Sequence, residues 1–438
     1  MDFKSLTEYL DECLIFGIKP SLIRIDKILQ LLGDPHKKLD FIHIVGSNGK
    51  TSTTKLLSSI LYESGVLTGY HISPHITSYT ERIWLNGRDI SSDDFLASYE
   101  RIKGSIEEVN SLDMGGPMTQ FEIIAAMAFE IASFNKLDVM VLEAGMGGRW
   151  DATNAADSMI AGLTGVSLEH TDILGDTIEK IAMEKVQVIK EGAKAVTTSR
   201  DPEVLKVLRS RISDVKDTSL YSYGKDFLIT EKEDLGLEGF KLDIKGVLGD
   251  YSDINLPLLG DYQPLNLALA ITISELYLSG RGISLKKENI DSALEKVTIK
   301  GRFEILKEGP RVIADASHNL EGIEHFSQNI QRYFKDRKKI IIFSVLSDKD
   351  YLRMIGKVIG ISDVLILTSS GDQRSLDIDS LEETTLKVIA KTGKEGKIPE
   401  KVFKIDNIDN SLNFALNMAD INDIICITGS ITNLEHVY

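Results

Sequence analysis

The segment HIVGSNGKTST (43–53) sets an apolar run, a glycine-flanked turn, a lysine and a hydroxyl residue in an order suited to holding phosphate. Backbone N–H groups of such a turn can converge on phosphate oxygens, and a helix starting there adds the partial positive charge of its N-terminus. Lys50 would supply a mobile cation for the β- and γ-phosphates, and the Thr51 hydroxyl a ligand for Mg²⁺. The strict G-x-x-x-x-G-K-[ST] pattern is not met, because Ile44 stands at its first glycine. An ordinary turn is the plain alternative; the strand–loop–helix context favours the phosphate loop.

A second segment, VLEAGMGGRWDATNA (141–155), carries Glu143 at the end of an apolar run, then three glycines, Arg149, Asp151 and Asn154. Carboxylates at such strand ends contact ligands in α/β enzymes, and the glycines let backbone approach a ligand closely. An ordinary exposed acid is the alternative for Glu143 alone; with a phosphate loop upstream, a metal-ligand role is favoured. In SLEHTDILGDTIEKIAMEKVQVIK (167–190), His170 follows another strand end, and Lys185 falls in an amphipathic helix where a solvated lysine is the usual outcome. Ser73 and His75 follow a strand in YHISPHI (70–76). Asp315, His318 and Asn319 cluster at a strand end in IADASHN (313–319), with Arg302 upstream; a turn and helix cap is the alternative there.

These residues need a frame, and the pattern of the chain supplies one. LDFIHIV (39–45), LDVMVLEAG (137–145) and MIAGLTGV (159–166) read as buried strands, and 50–65 and 119–134 as helices. Residues 259–280 give a helix after Pro264. Strands alternating with helices predict a parallel sheet covered on both faces. The stretch 217–258 alternates polar and apolar residues and predicts short antiparallel strands. The pattern restarts near 297, with two short strands within VTIKGRFEILKEGPRVIADASHN (297–319) and further strands at 338–348, 362–370 and 422–430. The fold class is α/β: a large N-terminal P-loop ATPase domain over 1–297, with a mostly parallel sheet flanked by helices, and a smaller Rossmann-like α/β domain over 298–438.

Composition narrows the class. The 438 residues are 42% hydrophobic and 26% charged, ordinary for a globular chain. No run reaches the ~18 apolar residues of a membrane helix. Two cysteines, Cys13 and Cys426, cannot make a disulfide framework or a zinc cluster, and the reducing cytoplasm is the expected compartment. A net charge of −16 disfavours broad binding to nucleic acid or anionic lipid. It leaves room for an anionic nucleotide in a local pocket.

Taken in order, the motifs resemble the folylpolyglutamate synthase/dihydrofolate synthase family of the Mur ligase superfamily. The resemblance starts at FGIKPSLIRIDKILQLLGDP (16–35) and runs through GSNGKTST, SPHI, ERIWLNGRDIS, TQFE, LEAGMGGRWDATN, SLEHTDILGDT, EKVQVIK, LGDYQPLN, KGRFE, DASHN and TGSI. Departures are few. Ser47 and Thr51 alter the family's T-N-G-K-G-S, Gln187 replaces a glycine in its E-K-A-G-I, and DASHN replaces D-G-A-H-N. Met146 and Trp150 stand where leucine is common.

The resemblance implies an ATP-dependent acid–amino-acid ligase that joins L-glutamate to a folate or to dihydropteroate through an acyl phosphate. It implies ATP held by Asn48, Gly49, Lys50, Thr51, Asn266, Arg302 and Asp315. Ser73 and Glu143 would bind one Mg²⁺ with Thr51 nearby, and His170 and a carboxylated Lys185 a second. Lys50, Lys185 and His318 would be catalytic, His318 lying near the cleft between domains. The folate or pteroate would meet Thr119, Gln120, Phe121, Glu122, Trp150, Asp151 and Ala152. A monomer without nucleic-acid or membrane partners is expected. Two other readings stand beside this one. A Mur-type cell-wall amino-acid ligase shares the GKT loop, but it carries a UDP-binding domain for which the 45 residues before Gly46 are too few. A nucleotide-binding regulatory ATPase fits less well, given Arg302, Asp315 and His318.

Overall fold

A computed structural model describes residues 1–16, 20–392 and 397–438. Gly17, Ile18 and Lys19 of the motif at 16–35 lie outside the described residues. The chain divides into two compact units. Unit 1 holds Met1–Glu233, Lys241–Leu256 and Tyr262–Thr298; unit 2 holds Asp234–Phe240, Pro257–Asp261 and Ile299–Tyr438. Unit 2 thus includes two short segments that a single cut near 297 assigns elsewhere. No helix among the described residues is long and apolar enough to cross a membrane.

Unit 1 is organised by strand β1 (Asp40–Val45), buried at five of its six positions. It pairs in parallel with β5 (Val139–Glu143) on one side and β6 (Ile160–Leu163) on the other, with Ile44 opposite Glu143. All three are predominantly apolar, as suits strands covered on both faces, with His43 inside β1 and Glu143 at the end of β5 as buried polar residues. Beyond β5 the sheet adds β2 (Thr68–His71) in parallel, then β3 (Ile83–Leu85) and β4 (Arg88–Asp89) antiparallel. Beyond β6 it adds β7 (Lys194–Thr197) and β8 (Ser219–Ser222), both parallel. The order is β4-β3-β2-β5-β1-β6-β7-β8. The expectation of antiparallel strands over 217–258 is therefore corrected at its start: β8 closes the parallel sheet. The rest of that stretch forms a three-stranded sheet of β9 (Leu228–Asp234), β10 (Phe240–Lys245) and β11 (Asp250–Leu256). Its connections are far too short for a parallel crossover.

Helix α3 (Lys50–Glu63) follows β1 directly. Its first turns are rich in Thr and Ser, weak helix formers, so tertiary packing holds it. Leu56, Leu57, Ile60 and Leu61 are fully buried, and it packs against α9 (Gln263–Gly280), which opens with Pro264 and is buried almost throughout. Helix α5 (Gln120–Phe134) begins with a capping box: Thr119 accepts from the Glu122 N–H and Glu122 from the Thr119 N–H. It shares a core with α1 (Phe3–Glu12), α2 (Ile23–Leu31) and α4 (Ser92–Ser111), through Leu6, Ile28, Phe95 and Phe129. The short α6 (Thr171–Leu174), then α7 (Ile178–Lys185) and α8 (Pro202–Asp214), lie between β6 and β8 in sequence; α10 (Lys287–Lys296) ends the unit.

Unit 2 is a six-stranded sheet ordered β12-β13-β17-β14-β15-β16. Strand β12 (Glu304–Lys307) runs antiparallel to β13 (Arg311–Ala314). Strands β13, β17 (Ile424–Thr428), β14 (Lys339–Phe343), β15 (Val364–Leu367) and β16 (Lys401–Lys404) are parallel. Helices α11 (Leu320–Phe334), α12 (Tyr351–Ile361), α13 (Ile378–Thr392) and α14 (Ile408–Met418) connect them.

Three histidines in unit 1 are held neutral by burial. Desolvation, with Lys190 and His71 adding to it, pushes His43 down to about 3. Desolvation and Arg82 bring His71 to about 4 and His75 to about 3. In the unfolded chain each titrates near ~6.5. Between those values the unfolded state binds protons that the native state refuses. The stability these residues confer is therefore full above ~6.5 and drains as pH falls towards 4. Chemical denaturation should show a loss on the order of 3 kcal/mol between about pH 7 and 5.5. Unchanged stability over that range would contradict the burial of these rings as neutral groups.

Candidate active site

The carboxyl ends of β1, β5 and β6 are neighbours, and the loops leaving them carry most of the expected site residues. At the end of β1, Gly46 lies so close to the neighbouring loop that a Cβ would stand 1.9 Å from Thr164 Oγ1. Ser47 N–H donates to Gly165 O (2.9 Å), Ser167 N–H to Ser47 Oγ (3.0 Å) and Thr164 Oγ1 to Asn48 O (2.6 Å). The loop is thus stitched to the segment after β6. Gly49 has φ 83° and caps α3; a Cβ there would meet Asn266 Oδ1 of α9 at 2.5 Å. Asn266 is buried, and its amide donates to Gln263 Oε1 at 3.0 Å. Ile44 lies inside β1, so the loop is shorter than the strict pattern. Lys50 Nζ donates to Gly46 O and Ser47 O, both at 3.1 Å, and so folds back over its own loop.

Thr51 Oγ1 donates to Glu143 Oε1 at 3.0 Å. Glu143 is the last residue of β5 and 2% exposed. Ser73 is half-buried in the loop leaving β2, the strand beside β5. His75, in the same loop, accepts from Arg82 Nε at 2.8 Å.

Lys185 overturns the solvated-helix expectation. It ends α7 but is 1% exposed, donating to Gly46 O at 2.8 Å and pairing with Glu169 Oε1 at 2.9 Å. Burial alone would raise the Glu169 carboxyl; Lys185 and Lys50 outweigh it and hold that group at about 2. Burial and Lys50 draw the Lys185 amine below its ordinary value, with Glu169 opposing them. Glu169 is not among the residues the sequence pattern singles out, though it sits beside His170 in SLEHTD. His170 stands well past the end of β6 rather than at it, and caps α6 in a left-handed conformation (φ 46°).

The glycine loop after β5 runs between the start of α5 and the end of α7. A Cβ at Gly145 would touch the Phe121 ring at 2.8 Å; one at Gly148 would lie 2.7 Å from the Glu184 and Lys185 carbonyls. Arg149 N–H donates to Glu184 O (3.0 Å), and its side chain pairs with Glu184 (3.3 Å). Asp151 is buried, accepting from Met146 N–H (2.9 Å) and Thr153 N–H (3.0 Å), and burial raises its pKa. Ala152 is buried beside it, whereas Trp150 is 50% exposed. At the start of α5, Glu122 holds the buried Arg24 (2.9 Å) and the Thr119 N–H (2.8 Å). Gln120 Nε2 donates to Leu10 O (3.2 Å) and to the Tyr79 hydroxyl. The expected folate residues are thus brought to one region, but the polar groups of Thr119, Gln120, Glu122 and Asp151 are engaged with the protein itself. Phe121 and Trp150 are the ring surfaces there.

In unit 2, Arg302 donates to Gly301 O (3.1 Å), and Ala316 N–H donates to the same carbonyl (2.8 Å). Asp315, 2% exposed at the end of β13, accepts from Phe303 N–H (2.9 Å) and Ser317 N–H (3.0 Å); burial raises its pKa. His318 Nδ1 lies 3.0 Å from Ala316 O. Asn319 caps α11 by accepting from Gly322 N–H (2.8 Å), as the turn-and-cap alternative supposes. Among the described residues, no group of three or more His, Cys, Asp and Glu side chains is placed to hold a metal.

Comparison with known proteins identifies the family. Residues 44–274 match the Mur ligase middle domain, and residues 301–431 the Mur ligase glutamate ligase domain. The dihydrofolate synthase/folylpolyglutamate synthase of Bacillus subtilis is 33% identical over 95% of this chain and 94% of its own length. The solved Mycobacterium tuberculosis folylpolyglutamate synthase complexed with ADP superposes with a TM-score of 0.91 at 31% identity, covering 99% of this chain and 97% of that one. Thermotoga maritima folylpolyglutamate synthase gives 0.84 at 30% identity, covering 99% and 95%. The family to which the motifs pointed is thereby established: this chain belongs to the folylpolyglutamate synthase/dihydrofolate synthase family of the Mur ligase superfamily.

Proposed function

We propose that this chain is an ATP-dependent ligase that adds L-glutamate to a folate or to dihydropteroate. The observation that carries the reading is the Thr51–Glu143 contact, set between a phosphate-loop turn and a buried strand end in a chain of this family. A carboxylate is a poor electrophile, so its oxygen first takes the γ-phosphoryl group of ATP, releasing ADP. The glutamate amine then attacks the acyl phosphate, and the tetrahedral intermediate collapses to the amide with loss of phosphate and a proton. Phosphoryl transfer needs positioning and charge neutralisation more than covalent help. Lys50 supplies charge by turning from its loop carbonyls to the phosphates; the N–H groups of Asn48, Gly49 and Lys50 cradle them. Asn266, Arg302 and Asp315 contact ATP, and His318 acts at the reacting end.

Thr51, Ser73 and Glu143 present two hydroxyls and one carboxylate. That hard-oxygen donor set fits Mg²⁺, which prefers few protein ligands plus water and phosphate. When bound, the ion neutralises phosphate charge. His170 and Lys185 would hold a second Mg²⁺ once Lys185 is carboxylated, which would give that ion an anionic oxygen ligand. Burial supports that modification, because it favours the neutral amine that CO₂ requires. Thr119, Gln120, Phe121, Glu122, Trp150, Asp151 and Ala152 line the folate pocket, and the protein works as a cytoplasmic monomer.

With Mg-ATP and labelled glutamate, ADP release and glutamate incorporation should both require tetrahydrofolate or dihydropteroate. Lys50→Ala should cost ~10²–10³ in rate while leaving the fold intact. ADP release indifferent to folate would instead favour a regulatory ATPase, and a folded Lys50→Ala protein with near-normal turnover would remove the phosphate-loop role. Lys185→Ala should be nearly inactive and partly restored by a small carboxylic acid. Full activity without that addition would dispose of the carboxylated lysine.

A further inference from the structure

His43 and Thr153, which none of the steps above uses, form a line of side chains ending on Asp151 of the proposed folate pocket. His43 lies in β1 and is fully buried, with Nε2 2.8 Å from Thr153 Oγ1. Thr153 Oγ1 in turn bonds Asp151 Oδ1. That carboxylate also accepts the Thr153 N–H at 3.0 Å, and its other oxygen the Met146 N–H at 2.9 Å. A threonine hydroxyl carries one proton, so the line has a direction. If a protonated Asp151 donated to Thr153, His43 would be the acceptor and its Nδ1 would carry the hydrogen. Nδ1 is buried without a hydrogen-bond partner among the described residues. An orphaned buried N–H is rarer than an orphaned acceptor, and two backbone N–H groups already address Asp151 as a carboxylate. The opposite order satisfies every donor: His43 Nε2–H donates to Thr153, whose O–H donates to Asp151.

The geometry points to His43 and Thr153 as positioning residues that fix the Asp151 carboxylate and, through its bond to Met146, the glycine loop 145–152 against which the folate's ring system is seated. The inference rests on the folate pocket proposed above. Asp151 closes the loop from inside: with Oδ1 held by Thr153, Oδ2 accepts the Met146 N–H and the loop returns on itself just past Trp150. Removing the Thr153 hydroxyl frees the carboxylate to rotate and leaves His43 Nε2–H buried without an acceptor. The loss falls on the folate side, since neither His43 nor Thr153 bonds the phosphate loop.

Steady-state kinetics of Thr153→Val and Thr153→Ser test the assignment. Thr153→Val keeps the side-chain volume and should raise KM for the folate about tenfold or more, as losing a hydrogen bond to a charged group does. KM for ATP and for glutamate should not move, and Thr153→Ser should behave as the wild type. An unmoved folate KM in Thr153→Val, or a rise shared by all three substrates, would overturn the assignment. Should Thr153→Val fail to fold, ¹⁵N NMR of the wild-type imidazoles decides: an Nε2–H tautomer at His43 supports donation from His43 towards Asp151, and an Nδ1–H tautomer refutes it. Trp150→Ala distinguishes failure of the pocket from failure of the positioning role. If it leaves the folate KM unchanged, the folate pocket itself is misplaced. If it raises that KM while Thr153→Val does not, only the positioning role fails.

Discussion

The site depends on one constraint: charged groups must be taken out of water at the end of a sheet whose strands are buried on both faces. Glu143 and Lys185 are at most 2% exposed, with Glu169 beside Lys185 and Lys50 over the loop. None of these charges is tolerable alone in such a setting, where an isolated ion would cost several kcal/mol. Each therefore answers another group. Thr51 answers Glu143, Glu169 answers Lys185, and the Gly46 carbonyl receives both lysines. The loop conformation follows from that arrangement. Gly46 and Gly49 are glycines because Thr164 and Asn266 occupy the space a Cβ would need.

The same constraint explains why so many polar groups of the site are engaged with the protein. Asp151, Glu122 and Asp315 each hold backbone N–H groups of the loop they end or begin. They shape the walls, and the open surfaces are left to rings such as Trp150 and to mobile cations such as Lys50. For the proposed reaction such walls are preorganised, while the Lys50 amine, held on the Gly46 and Ser47 carbonyls, has to turn to meet phosphate.

Much of the frame was legible from residue pattern. Continuous apolar runs gave β1, β5, β6, β14 and β17, because a strand covered on both faces has no polar side to confuse the period. Apolar residues at helical spacing over 119–134 gave α5, which runs from Gln120 behind its Thr119 cap. Strand β16 (KVFK) was not legible, being half-exposed with no apolar run. The direction of β8 was hidden as well, since its partner β7 is set by the crossover through α8 and not by any local period. Lys185 reads as a surface lysine from its helix. Only the fold brings Glu169 and the Gly46 carbonyl, far away in sequence, to its amine. Glu169 was missed for the same reason: an acid in a polar loop has no period, and its partner is visible only in three dimensions.

Thr51 and Glu143 form one device in the proposed reaction, a hydroxyl in the first turn of α3 and a carboxylate at the end of β5 that meet to hold the same Mg²⁺. A double-mutant cycle in kcat/KM for ATP with Thr51→Val, Glu143→Gln and the double variant measures that directly. If the two act together, the double variant should be scarcely slower than the worse single variant. Losses that multiply across the cycle would mean that the residues act independently and that the contact between them has no part in catalysis.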